Sequence, residues 1–198
     1  MKNKKVSGLL YTAVMGVAVL SLASCAEKKF RVSGTITQAK DSVLYLENMS
    51  LNGPKAVDSV KLDENGEFEF KQKSPEAPEF YRLRIANQMV NLAVDSTENI
   101  TVKAAYPTMS ANYEVSGSEE CTKIRDLAYM QLELQTHVAA IANSSSLGVQ
   151  AVEDSVAKVL EVYKNKVKLN YIFKEPMKAY AYYALFQTIV LGNANILI

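Results

Sequence analysis

The hydrophobic period of the chain changes once, near Ser116, and this limits the fold to a strand-built part followed by a helical part. Before that point apolar residues recur at every second position. "FRVSGTI" sets Phe30, Val32, Gly34 and Ile36 on one face, and "EFEFKQ" sets Phe68 and Phe70 against Glu67, Glu69 and Lys71. "EFYRLRIA" places Tyr81, Leu83 and Ile85 opposite Arg82 and Arg84. "SVLYLEN" and "AVDSVKL" read as further strands, as do "MVNLAV", with Val90, Leu92 and Val94, and "NITVKA", with Ile100 and Val102. Alternation of this kind puts successive side chains on opposite faces of a sheet. "DENG" predicts a hairpin joining "AVDSVKL" to "EFEFKQ", with Asn65-Gly66 supplying the positive φ of a tight turn. About seven or eight short strands with frequent polar turns predict an antiparallel sandwich or open barrel.

After Ser116 the period is helical. Ser118 is placed to cap a first helix whose opening turn carries Glu119 and Glu120, where acidic residues suit the positive end of the macrodipole. Its stripe is Ile124, Leu127, Ala128, Met130, Leu134, Val138 and Ile141. "NSSSLG" breaks it. A second helix is expected over about residues 149–173, with Val152, Val156, Val159, Leu160, Tyr163 and Val167 inward. Its other face carries Glu153, Asp154, Lys158, Glu161, Lys164 and Lys166. Pro176 is expected to open a third helix, "PMKAYAYYALFQTIVLG". The fold class is therefore α+β: a leader over 1–24, an antiparallel β domain over 25–116, and a three-helix connector over 117–198.

The leader begins with a positive "MKNKK" and continues with an apolar run from Val6 to Ala23. That run is close to the length of a transmembrane helix, about 20 residues, and is also compatible with an export signal. Its ending decides. Leu22-Ala23-Ser24-Cys25 resembles the bacterial lipobox, in which small residues admit the backbone to the peptidase and the thiol accepts diacylglycerol. The resemblance implies that Cys25 becomes a lipidated mature N-terminus, partnered with a membrane. Each buried methylene contributes about 0.8 kcal/mol, and more than one acyl chain makes anchoring stable. Of the 22 Lys and Arg, three fall in the leader, leaving 19 against 21 Asp and Glu, about −2. No basic patch remains for nucleic acid or anionic lipid.

Candidate chemistry is sparse. With Cys25 consumed by lipid, Cys121 is alone and is either buried or reactive. The start of a helix would favour its thiolate, while Glu119 and Glu120 oppose it. His137 is the only histidine and lies mid-helix without the companions of a metal site or triad. Asp58, Asp63, Glu64, Asp95 and Glu98 sit near turns and do not make a calcium loop. Tyr180, Tyr182, Tyr183 and Phe186 form an aromatic run suited to stacking on sugars or peptides, and equally to packing inside the fold. No catalytic residue, metal ligand or cofactor-binding residue is assigned.

Taken in order, "FRVSGTI", "DSVLYLEN", "VDSVKLDENGEFEFK", "EFYRLRI" and "VNLAVDSTENITVKA" resemble the domain of unknown function family 4369. That module is typical of lipoproteins from Bacteroidota, and the helices up to "YYALFQ" resemble the connector that follows it there. The resemblance implies a cell-envelope location, at the outer membrane facing the periplasm. It also implies that a thioredoxin-like domain of the peroxiredoxin or disulfide-reductase type follows in many relatives, carrying Cys-x-x-Cys. No such motif is present here, and the chain closes on the apolar "NANILI", so a truncated reading frame or a fragment is expected. The functional expectation is a membrane-anchored, non-catalytic region that positions a redox domain or binds its protein client. The alternative is a stand-alone envelope lipoprotein that binds a glycan or protein. Cys25→Ser should abolish labelling by a palmitate analogue and release the protein from the membrane fraction; labelling that persists would contradict the lipobox reading.

Overall fold

A computed structural model describes residues 28–50, 52–144 and 148–193, with side chains up to residue 189. Cys25, the leader and the tail over 194–198 lie outside the described residues. Eight strands come first: β1 (Lys29–Thr37), β2 (Val43–Ser50), β3 (Gly53–Lys61), β4 (Glu67–Lys73), β5 (Glu79–Ile85), β6 (Gln88–Val94), β7 (Asn99–Ala105) and β8 (Tyr113–Ser116). They form two four-stranded sheets, ordered β4-β1-β7-β8 and β3-β2-β5-β6. The sheets face each other without closing into a barrel, and one core lies between them. Phe30, Val32, Leu46, Leu83, Leu92 and Ile100 are wholly buried there.

The expected α+β class and open two-sheet form are both found, with one change of strand direction. The second sheet is antiparallel, whereas β1 runs parallel to β7, with Val32 opposite Ile100 and Gly34 opposite Val102. Alternation carries no sign of strand direction, which is why this pairing was not legible. Gly34 allows the approach. Its φ is +151°, and a Cβ there would lie 1.8 Å from the Val102 carbonyl oxygen.

The expected hairpin between β3 and β4 is not formed. β3 pairs with β2 and β4 with β1, so "DENG" carries the chain from one sheet to the other. Leu62 is drawn into the core. Asp63 Oδ1 accepts the N–H groups of Asn65 and Gly66 at 2.9 and 3.0 Å. The Gly66 carbonyl in turn receives the Ile36 N–H at 2.8 Å. Gly66 does have positive φ, at +67°, but it serves this crossover, with the Ile36 oxygen 2.0 Å from where a Cβ would stand.

The helices are α1 (Glu119–Ala142), α2 (Val149–Val167) and α3 (Ala179–Asn193). Ser118 caps α1 as expected, accepting the Cys121 N–H. α1 runs past β6 and β8, the terminal strands of the two sheets, and covers the side on which the sandwich is open. The expected second helix is shorter, because Lys168–Ile172 widens into a π-turn. The third helix starts three residues after Pro176. Pro176 instead occupies the second position of a turn closed by Lys178 N–H and the Glu175 carbonyl at 3.1 Å, a position that its fixed φ favours. The inward stripe of α2 is as read, with Val152, Val156, Tyr163 and Val167 buried. No helix among the described residues is long and apolar enough to cross a membrane.

Gly34→Ala should cost more than about 2 kcal/mol, through an unfavourable φ and a backbone clash that cannot be relieved by a rotamer. Urea unfolding at neutral pH measures it, and a change within about 0.5 kcal/mol would show that β1 and β7 separate freely.

Candidate functional site

The outer face of the β3-β2-β5-β6 sheet is where polar and aromatic side chains converge. Cross-strand register builds it in rows. Tyr45 stands opposite Arg84, Glu47 opposite Arg82, and Arg82 opposite Asn91, with Phe80 opposite Ala93 in the next row. Glu47 is buried, and Arg82 Nε and Arg84 Nε donate to its two oxygens at 2.5 and 2.8 Å. Burial pushes the Glu47 carboxyl upward, but the hydrogen bonds from Arg84 and Arg82 together outweigh it and hold the group below the usual carboxylate range. The Arg84 guanidinium also lies 4.7 Å over the Tyr45 ring, a cation–π contact.

α3 packs along this face. Ala93, Ala179 and Ala181 are small enough to bring helix and sheet together, with Ile124 and Tyr180 filling the joint. Asn91 Nδ2 donates to the Tyr183 hydroxyl at 2.9 Å, and Gln187 Nε2 donates to Gln131 on α1 at 3.0 Å. At the start of α3 the Glu120 carboxylate accepts the Tyr180 N–H at 2.8 Å, with Lys178 Nζ 3.7 Å away. Burial raises the Glu120 carboxyl more than that N–H and Lys178 lower it.

Between α3 and the ends of β2 and β5, beyond their last paired residues Asn48 and Tyr81, lies a cleft of about 460 Å³. Met49 and Phe80 line one side, Tyr182 and Phe186 the other, and Asn91 with Tyr183 forms a polar corner. The size and apolar lining are those of a binding cleft. The aromatic run read from the sequence is therefore divided. Tyr180 is buried, Tyr183 is half-buried, and Tyr182 and Phe186 remain 49% and 66% exposed. The positions 182, 185, 186 and 189 form a second apolar stripe, since Leu185 and Ile189 are also exposed.

Other candidates have structural partners. Cys121 is wholly buried, donates to the Ala93 carbonyl at 3.3 Å, and burial pushes its thiol up to about 11. His137 is exposed on α1, beside Glu133 and Lys166 in a groove between α1 and α2. Asp58 accepts from Gln72, Glu64 pairs with Lys40, and Glu98 accepts the N–H groups of Asp95 and Ser96. Among the described residues no group of three or more His, Cys, Asp or Glu converges as a metal site would require. Glu47 and Glu120 were missed in the sequence. Each is one acid among many until the strand register or the helix packing supplies its partner.

These features define a two-sheet β module, closed on one side by a helix, that presents an aromatic cleft on its outer sheet. Residues 30–123, from β1 through the opening of α1, match the family described as Domain of unknown function (DUF4369). No curated protein matches the chain.

The two buried carboxylates have opposite pH signatures. Glu47 has a lowered folded pKa, so its contribution is present above its unfolded pKa, about 4.3, and is lost as pH falls through the folded value. Glu47→Gln should cost about 1–3 kcal/mol at pH 7 and less at pH 3. Glu120 has a raised folded pKa, so its contribution is full below about 4.3 and is lost as pH rises through the folded value. Glu120→Gln should be neutral or stabilising at pH 7, because the amide oxygen still accepts the Tyr180 N–H without a buried charge. Denaturant melts at pH 3 and pH 7 measure both, and equal costs for the two variants at pH 7 would refute this assignment.

Proposed function

We propose that this chain is the lipid-anchored, non-catalytic N-terminal region of a thiol–disulfide oxidoreductase-type lipoprotein, held at the outer membrane and facing the periplasm. Lipid on Cys25 is the anchor. The β module with its helices holds and orients a redox domain or engages that domain's client. The observation that carries this reading is the second apolar stripe of α3, where Leu185 and Ile189 stay half-exposed beyond a well-filled β core. A helix that is apolar on both sides is ordinarily buried on both, which suits packing against a further folded unit. The DUF4369 match and the lipobox-like leader support the same placement.

The chain's own part in the chemistry is spatial. Exchange requires an attacking thiolate and a resolving partner, and Cys121 has a raised pKa inside the core. A second reading, a stand-alone envelope lipoprotein that binds a glycan or protein, draws on the open aromatic cleft.

The purified chain should reduce insulin disulfides no faster than its Cys121→Ala variant; turnover above that control would overturn the non-catalytic assignment. The genomic frame separates the two readings. A frame that continues into a Cys-x-x-Cys domain supports the redox lipoprotein, and a stop with no such sequence after it favours the stand-alone binder.

A further inference from the structure

We infer that the cleft between β2, β5 and α3 docks an extended polypeptide segment in which a large apolar or aromatic side chain is followed by an acidic one. The inference does not require the redox reading, although it draws on the same stripe of α3, since Tyr182 and Phe186 line the cleft. Three observations support it. The first is the lining. Met49 and Phe80 face Tyr182 and Phe186 across about 460 Å³, room for one large side chain. Of the polar groups in the lining, Asn91 Nδ2 is engaged by Tyr183 and Ser50 by the Gly53 carbonyl, which leaves chiefly the Tyr182 hydroxyl and the Asn91 oxygen. A sugar ring would bring several hydroxyls into this space with few free partners, which is costly.

The second is the sheet itself. The β2–β5 ladder ends at Asn48 opposite Tyr81, while β5 begins at Glu79. Glu79 and Phe80 therefore have no β2 ladder partner beside the cleft. Because the Asn48–Glu79 side-chain bond closes the inner face, an extended segment approaches the Phe80 main chain from the outer face only. The third is charge. On the outer face Arg82 and Arg84 share the single carboxylate of Glu47, so one guanidinium charge is left over. Arg82 is two residues from Phe80 on the same face and directly across from Asn91, so this shared excess charge lies next to the cleft lining. Glu79 alternates to the other side of β5, where Asn48 and Tyr81 engage it.

The test uses the full chain labelled with ¹⁵N and the hexapeptides GSFDSG, GSFNSG and GSADSG. The Asn91 side-chain amide and Phe80 backbone amide should shift and saturate with GSFDSG. Affinity should fall at least fivefold for each of the other two peptides and at least fivefold for Phe186→Ala. Because Phe186 is largely exposed, that variant should keep the parent melting curve. Arg82→Gln leaves Glu47 paired with Arg84 and should make GSFDSG and GSFNSG equivalent. Raising the salt concentration should do the same with the unaltered chain, so the charge arm holds even if that variant unfolds. Equal affinity for all three peptides, or no saturable shift, overturns the inference. So does a response to an oligosaccharide without one to any peptide, or concentration-dependent broadening of the free chain at these residues, which would mark self-association.

Discussion

Closure of the open side of the sandwich by α1 is the interaction on which the rest of this structure depends. Two four-stranded sheets that do not join leave terminal strands, and an uncovered strand edge invites pairing with other chains. α1 covers β6 and β8 together. Ser118 fixes where the helix begins, Cys121 fills the core at the seam, and Ile124 packs beside Ala93. Tyr129 completes the cover: its hydroxyl accepts the Tyr113 N–H at 3.0 Å and donates to the Tyr113 carbonyl at 2.5 Å, occupying both main-chain groups of an edge residue. The DUF4369 match runs to Lys123, so it includes Ser118 and Cys121 at the start of the seam and stops before Ile124 and Tyr129.

Once α1 is fixed, α3 has only one place to go. Glu120, on the first turn of α1, accepts from the first turn of α3, while the alanines at 93, 179 and 181 let helix and sheet approach closely. The exchange is visible in the energetics. Glu120 is buried against its own preference and yet satisfies an N–H that α3 cannot satisfy internally. Using small residues and two tyrosines, Tyr180 and Tyr183, on the inner side of α3 leaves the larger apolar residues, Leu185, Phe186 and Ile189, on the outer side. Docking of the helix and exposure of its second stripe thus have one cause. The cleft forms where that stripe meets the ends of β2 and β5.

What was legible in the sequence is what depends on neighbours in the chain. The inward sets Phe68/Phe70, Tyr81/Leu83/Ile85 and Val90/Leu92/Val94 follow from alternation alone, and the Ser118 cap from local chemistry. What was illegible depends on distant partners. A parallel β1–β7 pair has the same alternation as an antiparallel one, and "DENG" has the composition of a hairpin although Leu62 and Gly66 are fixed by the opposite sheet. Pro176 suits the first turn of a helix and the second position of a β-turn equally, and Glu120 across the joint favoured the later start. The Glu47 pair with Arg82 needs the β2–β5 register, which no local pattern prints.

Magnitudes settle the one competition over chemistry that the sequence left open. Cys121 lies in the opening turn of α1, where the macrodipole favours a thiolate by about 0.3–1 kcal/mol, less than one pKa unit. Burial acts in the other direction and is larger, carrying the thiol from 9.0 to about 11. At neutral pH the group is therefore held as the thiol, and the Ala93 carbonyl accepts its S–H inside the seam. A side chain placed to seal two sheets cannot also be presented to a disulfide without opening the edge that α1 covers. For this residue the structural role and the redox role compete, and the open aromatic cleft lies elsewhere, on the outer sheet face beside the Glu47–arginine cluster.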